Sequence, residues 1–304
     1  MDVVAQHISR QAVHSAWIDN YCLLRLLKDG GMAQVYLAYD IQAQQHVAIK
    51  LVENGRFDEE LFAGEVRSMR RLDHPSILPL LAARRSGRWS YLVTPYIAGG
   101  TLQDRIDDQT LTFDEASFIF TQLTDALQYM HSRGIIHRDI KPTNILLDGN
   151  NVYLADFGIA SWQKEEFAYF DEPMMGTPVY MAPEIYEGQV SRQGDLYALG
   201  TVLYQMLTGE VPFNDQDSNN IYWKQKTTCP FPPSFINPNL SLALEEVILR
   251  TLEKEPQDRF QTAADLALAY RKATTPSLLE RLSSTFTDIV HNISLYQCYM
   301  PQRV

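Results

Sequence analysis

The sequence changes character at Gly99-Gly100, and that change narrows the folds open to it. From Tyr21 onward, the runs YCLLRLLK, VYLAYD and HVAIKLV, separated by short breaks such as DGG, read as strands. HPSILPLLA and WSYLVTPYI read as two more. One stretch before the glycine pair is helical instead: EELFAGEVRSMRRL at 59–72 has apolar residues at 62, 66, 69 and 72. Beyond the pair the pattern is helical. Thr112 followed by Glu115 is a capping-box signature. It opens a helix with apolar positions at 116, 119, 120, 123, 126, 127 and 130. DLYALGTVLYQML at 195–207, LALEEVILRTLE and ADLALAYRK read as further helices. A β-rich part followed by a helical part, with a glycine hinge between them, predicts two lobes.

Composition sets outer limits. A chain of 304 residues suffices for one large two-lobed domain or two ordinary ones, and 45% apolar residues supply a sizeable core. A net charge of −11 argues against a general nucleic-acid binder, which needs a basic face, but leaves room for a local basic pocket. Cys22, Cys229 and Cys298 lie far apart and form no metal-type cluster, which points to reduced thiols in a cytoplasmic protein. The first twenty residues lack the basic start and apolar run of a secretory signal. No stretch approaches the ~18–20 continuous apolar residues of a spanning helix. The expectation is a soluble chain with no nucleic-acid partner and no membrane span.

The chemistry is concentrated in short motifs. HRDIKPTN occupies 137–144, and in LADFG, residues 154–158, Asp156 follows Asp139 by seventeen residues. VAIK at 47–50 lies upstream, and GTPVYMAPE and EPQDRF lie downstream. In order and spacing this set resembles the eukaryotic-type (Hanks-type) Ser/Thr protein kinases, in the style of the bacterial members. The resemblance runs from about Tyr21 to Lys272. It implies an α+β protein kinase fold, with a small antiparallel β-sheet lobe carrying one main helix and a larger, mainly helical lobe. The divisions expected are an extension at 1–20, an N-lobe at 21–97, a C-lobe at 98–273 and a tail at 274–304.

Phosphoryl transfer depends on positioning and charge compensation more than on covalent chemistry. On the resemblance, Lys50 holds the α- and β-phosphates of ATP. A lysine ammonium in a strand needs a carboxylate, and Glu65 matches the family's partner; the alternative is a solvated surface charge. Asp139 matches the residue that orients the substrate hydroxyl and accepts its proton. Lys141 neutralises charge on the moving group. Asn144 and Asp156 match the Mg2+ ligands, hard oxygen donors of the type Mg2+ prefers, with Mn2+ as an alternative metal. Val35, Ala48 and Leu146 would sandwich the adenine, with Thr94 at the back of the pocket. Pro95 would offer its C=O and Ile97 its N–H to the adenine edge. His137, Glu184, Asp195 and Arg259 are architectural in this reading, Glu184 and Arg259 as a buried ion pair. The other six histidines show no metal spacing and read as incidental.

The glycine-rich loop departs from the family's G-x-G-x-x-G-x-V. Residues 28–35 read KDGGMAQV, so Lys28 replaces the first glycine and Ala33 the third, while Gly30, followed by Gly31, remains. Gly30 matters most if the backbone passes close over the phosphates. Lys28 adds a cation that either meets the nucleotide or points away.

Lys141 and Thr177 are the residues that favour Ser/Thr over Tyr as acceptor, so the expected partners are proteins bearing Ser or Thr. Between Trp162 and Gly176 there is no Ser or Thr to phosphorylate, but there are Asp171 and Glu172. In this family the Arg before the catalytic Asp, here Arg138, often pairs with a loop phosphate. Either carboxylate could substitute as a weaker, permanent charge, or the loop is simply acidic and solvated. After Pro276, apolar residues at 278, 282, 286, 289 and 293 suggest an amphipathic helix over 277–294 that docks on a partner or on the chain itself, or else a frayed tail. Two other functions compete with an active kinase: a pseudokinase serving as a nucleotide-binding interaction module, and a small-molecule kinase. Lys50, Asp139, Asn144 and Asp156 are all present, which counts against the first; APE, Arg259 and Lys141 count against the second.

Overall fold

The computed structural model describes residues 16–30, 33–54, 59–158, 160–162, 168–169 and 176–275. Gly31, Asp171, Glu172 and the segment 277–294 lie outside the described residues.

Six strands form one antiparallel sheet: β1 (Ala16–Ile18), β2 (Tyr21–Asp29), β3 (Gln34–Asp40), β4 (Gln45–Glu53), β5 (Ala82–Ser86) and β6 (Trp89–Pro95). Their order across the sheet is β1-β2-β3-β4-β6-β5. β4 shows why a strand is needed at the motif VAIK. Side chains alternate between the two faces, so Val47, Ile49 and Leu51 are buried among Tyr36, Ala38, Tyr91 and Val93 on one side. Ala48 and Lys50 are thereby turned to the other side, which faces the cleft between the lobes. Helix α1 (Glu59–Met69) packs its buried row Phe62, Glu65, Ser68 and Met69 against the structure beneath it.

The rest of the chain is mainly helical. It comprises α2 (Leu102–Asp107), α3 (Phe113–Ser132), α4 (Arg192–Thr208), α5 (Ser218–Thr227), α6 (Pro233–Ile236), α7 (Leu242–Thr251) and α8 (Ala263–Thr274). Short strand pairs are set among them: β7 (Ile135–Ile136) with β10 (Ser161–Trp162), β8 (Ile145–Asp148) with β9 (Asn151–Leu154), and β11 (Ala168–Tyr169) with β12 (Gln189–Val190). The capping box at Thr112 is present: its hydroxyl accepts from Glu115 N–H while the Glu115 carboxylate accepts from Thr112 N–H. Every residue of α4 from Gly194 to Leu207 is buried, so it runs through the lobe interior. At Gly200 a Cβ would lie 2.0 Å from Thr251 Oγ1, so α4 and α7 can close on each other only because that position lacks a side chain.

Two expectations need correction. Residues 1–20 are not all extension, because Ala16–Ile18 pairs with β2 and Ile18 is buried. HPSILPLLA is not a strand: Pro75 and Pro79 cannot donate to a ladder, and Ile77 makes only an isolated bridge to Leu154. The strand in this region is β5, AARRS, an edge strand paired on one side only, whose exposed arginines hide it from an apolar pattern.

Candidate active site

The cleft between the lobes encloses about 680 Å³, within the usual range for a small-ligand site. Val35 and Ala48 line it from the sheet and Leu146 from β8, with Thr94, Pro95 and Ile97 along one wall. Gly99 sits just past that wall, where an added Cβ would be 2.1 Å from Leu147 O, so the connection between lobes lies directly on β8. Gly30 N–H donates to Ala33 O at 3.0 Å, closing the turn between β2 and β3.

At the inner end of the cleft Lys50 Nζ lies 2.7 and 2.9 Å from the two oxygens of Glu65 and 2.8 Å from Asp156 Oδ1. Glu65 is 4% exposed, which excludes the solvated alternative for it. Burial alone would lower the Lys50 pKa, but the Glu65 and Asp156 charges outweigh it and hold the ammonium above its ordinary value. Burial likewise pushes the Asp156 carboxyl up, yet Lys50, aided by Lys28, holds it well below the usual carboxylate range. Gly158 leaves room for this arrangement, since a Cβ there would be 3.1 Å from Lys50 Nζ.

A second cluster lies beside it. Lys141 Nζ contacts Asp139 Oδ2 and donates to Thr177 Oγ1, both at 2.7 Å, and Thr177 Oγ1 is 3.4 Å from Asp139 Oδ1. Asn144 Nδ2 donates to the Asp139 backbone O at 3.0 Å and to Oδ2 at 2.9 Å. That fixes the amide so that Oδ1 is the atom left to accept a cation. With Asp156 it makes two hard oxygen donors on one cleft, the number Mg2+ takes from protein when phosphates supply the rest. The residues present therefore fit a divalent metal.

Beneath these clusters the loop is braced from α4. Asp195 Oδ2 and Oδ1 accept the backbone N–H groups of His137 and Arg138 at 2.9 Å each. Arg138 (φ 71°) and Asp156 (φ 65°) both hold left-handed backbone, which costs a non-glycine residue roughly 1–2 kcal/mol, so the bracing offsets a real local cost. His137 is buried under the site. Its Nε2 donates to Ala155 O at 3.1 Å, its Nδ1 accepts from Asp139 N–H at 3.3 Å, and its ring packs edge-on against Phe157. His131, passed over as incidental in the sequence, is also structural: its Nε2 lies 2.8 Å from Asp195 Oδ2, with both side chains buried. No spacing signal links residues 64 positions apart. Farther down, Arg259 meets Glu184 through two 2.7 Å contacts. The sequence also gave no signal for Tyr186 and Gln225, whose side chains both donate to Pro178 O and so hold the turn that follows Thr177.

A family profile described as "Protein kinase domain" matches residues 21–270. The chain is 35% identical to the serine/threonine-protein kinase PknB of Mycobacterium leprae over 260 residues, which is 82% of this chain and 42% of that protein. It is 35% identical to the serine/threonine-protein kinase PrkC of Bacillus subtilis over 256 residues, 81% of this chain and 39% of that one. The chain thus spans about two-fifths of the length of these curated relatives. The match over 21–270 contains the cleft and both clusters of side chains, and the chain belongs to the protein kinase domain family.

Proposed function

We propose that this chain is a serine/threonine protein kinase that transfers the γ-phosphate of MgATP to protein Ser or Thr hydroxyls. The observation that carries the reading is the contact set Asp139–Lys141–Thr177, joined through Asn144 to the cleft that Lys50, Glu65 and Asp156 line. Asp139 orients the acceptor hydroxyl and takes its proton as the oxygen attacks. Lys141 lies against Asp139 and offsets charge on the group in transfer. Thr177 ties the substrate platform to both. Lys50, pre-aimed by Glu65, binds the α- and β-phosphates. Val35, Ala48 and Leu146 hold the adenine between them; Pro95 C=O and Ile97 N–H meet its edge, Thr94 closes the back, and the turn at Gly30 covers the phosphates, with Gly31 next to it in sequence. Asn144 and Asp156 are the residues to hold Mg2+, whose bound charge neutralises the phosphate oxygens. An interaction module without catalysis has no specific support, because every member of this set is present and in contact.

After β11 in the chain, Asp171 or Glu172 serves as built-in charge for Arg138, since no Ser or Thr lies between Trp162 and Gly176. The location is proposed to be cytoplasmic; among the described residues no helix is long and apolar enough to cross a membrane.

The test is incubation of the purified chain with MgATP and a generic basic protein, followed by phosphosite mapping by mass spectrometry. Phosphoserine or phosphothreonine is expected with the wild type and not with Asp139→Asn. No incorporation in the wild type would refute the reading, and wild-type incorporation in the variant would take the proton-acceptor role from Asp139.

A further inference from the structure

Lys28 stands where the kinase loop pattern has its first glycine, and its side chain does not point away from the cleft. The register of β2 against β3 shifts twice, between Leu23 and Arg25 and between Leu26 and Lys28, so that Leu26 faces Tyr36 and Lys28 faces Val35, with Leu24 and Leu27 left over. Such a bulge re-aims the side chains that follow it. Val35 in turn faces Lys50 on β4. Residues directly opposite each other share a face of the sheet, so Lys28, Val35 and Lys50 form one row on the cleft side. The two lysine backbones are two strands apart, roughly 10 Å, and their ammonium groups converge on one carboxylate. Lys50 Nζ takes Asp156 Oδ1 at 2.8 Å, while Lys28 Nζ lies 3.7 Å from Oδ2.

The two lysines are not equivalent. The Lys50 side chain is 21% exposed and held by two carboxylates; that of Lys28 is 51% exposed, and among the described residues its ion-pair partner is Asp156. Asp156 is also a residue proposed to hold the metal. A divalent cation on Asp156 would face the Lys28 ammonium at close range, and like charges so placed repel. Lys28, with four flexible methylenes, can move to another anion. The nearest new anion in a loaded cleft is the phosphate chain of the nucleotide.

We infer that Lys28 is a second phosphate-binding lysine: it rests on Asp156 and passes to the nucleotide phosphates when metal occupies that carboxylate. The inference rests on the reading of the cleft as a MgATP site. It explains how the loop keeps its grip on the phosphates without its first glycine, by substituting a side-chain ammonium for close backbone approach.

The test compares the wild type, Lys28→Gln and Lys28→Arg by isothermal titration with MgATP, MgADP and adenosine. Lys28→Gln is expected to weaken MgATP and MgADP about three- to tenfold, the range of a partly exposed charge pair at a highly charged ligand. Adenosine affinity should stay within twofold, and Lys28→Arg should bind MgATP like the wild type. Equal MgATP affinity in Lys28→Gln would overturn the inference and leave the MgATP reading standing. A parallel loss of adenosine binding would overturn it too, by assigning Lys28 to the shape of the pocket. A wild type that binds none of the three would overturn the MgATP reading itself.

Discussion

Arg259 and Glu184 face each other as a two-pronged ion pair, Nη1 to Oε1 and Nη2 to Oε2, each 2.7 Å, with Arg259 wholly buried. The same guanidinium also donates to the backbone O of Glu253, Lys254 and Gln193. Arg259→Leu would strand a buried carboxylate and three carbonyls. A loss of about 3–5 kcal/mol is expected, read by urea unfolding followed by circular dichroism. Glu184→Gln, which keeps an acceptor, should cost less. A midpoint for Arg259→Leu equal to wild type would show that the pair contributes nothing.

Asp139 and Asp156 are carboxylates of two adjoining clusters, and because their partners differ, their variants should fail differently. Asp139 sits with Lys141 and Asn144, whereas Asp156 sits with Lys50 and Lys28. Asp139→Asn is expected to lower kcat by orders of magnitude with MgATP affinity nearly unchanged. Asp156→Asn should raise the Mg2+ concentration needed for half-maximal nucleotide binding. Steady-state kinetics and a Mg2+ titration followed by calorimetry separate the two. Wild-type turnover in Asp139→Asn would reassign the proton acceptor.

His137 makes stability depend on pH in a definite direction. Burial lowers its pKa, against the opposing pull of Asp195, Asp139 and Asp156. Its Nδ1 already accepts from Asp139 N–H, so the neutral ring fits and the protonated ring does not. An unfolded histidine titrates near about 6.5. Above that pH both states are neutral and the fold is at full strength. Below it the unfolded chain takes up a proton that the buried ring refuses, and stability falls by at most about 1.4 kcal/mol per pH unit from this group. Unfolding midpoints between pH 7.5 and 5.5 should drop in the wild type and drop less in His137→Gln. Equal slopes would remove His137 as the cause.

The proposed built-in charge at Asp171 or Glu172 predicts an enzyme that needs no priming. Phosphate-free protein, verified by intact mass, should show a linear initial rate. Asp171→Ala/Glu172→Ala should lower that rate. A lag that ends only as Tyr169 or Thr177 gains phosphate would count against the proposal, as would an unchanged rate in the double variant.

What could be read from the sequence and what could not divide along physical lines. Lys50, Asp139, Asn144 and Asp156 could be singled out because they stand in motifs whose order and spacing resemble the kinase signature, and the structure brings Lys50 to Asp156 and Asn144 to Asp139. Glu65 was legible from helical spacing beside Met69. β4 was legible because alternation shows wherever one face is buried. β5 was not, since an edge strand with outward arginines carries no such alternation. His131 was missed because its meaning comes from Asp195, which only tertiary packing brings near. Lys28 could be noticed in the sequence but not aimed: β2 shifts register twice against β3, between Leu23 and Arg25 and between Leu26 and Lys28, which no residue pattern announces, and its partner Asp156 is brought near only by tertiary packing.

Asp195 and Gly200 lie five residues apart on α4, about 7.5 Å along its axis at the usual helical rise. The first holds the left-handed turn at Arg138 by two backbone hydrogen bonds, and the second lets α7 close onto the same helix. HRDIKPTN is for this reason not a portable motif. Grafted into another scaffold as eight residues, it would arrive without the carboxylate that holds its bend and without the clamp that keeps that carboxylate in place. The smallest transplantable unit is the loop together with α4 and the helix pressed against it, most of a lobe.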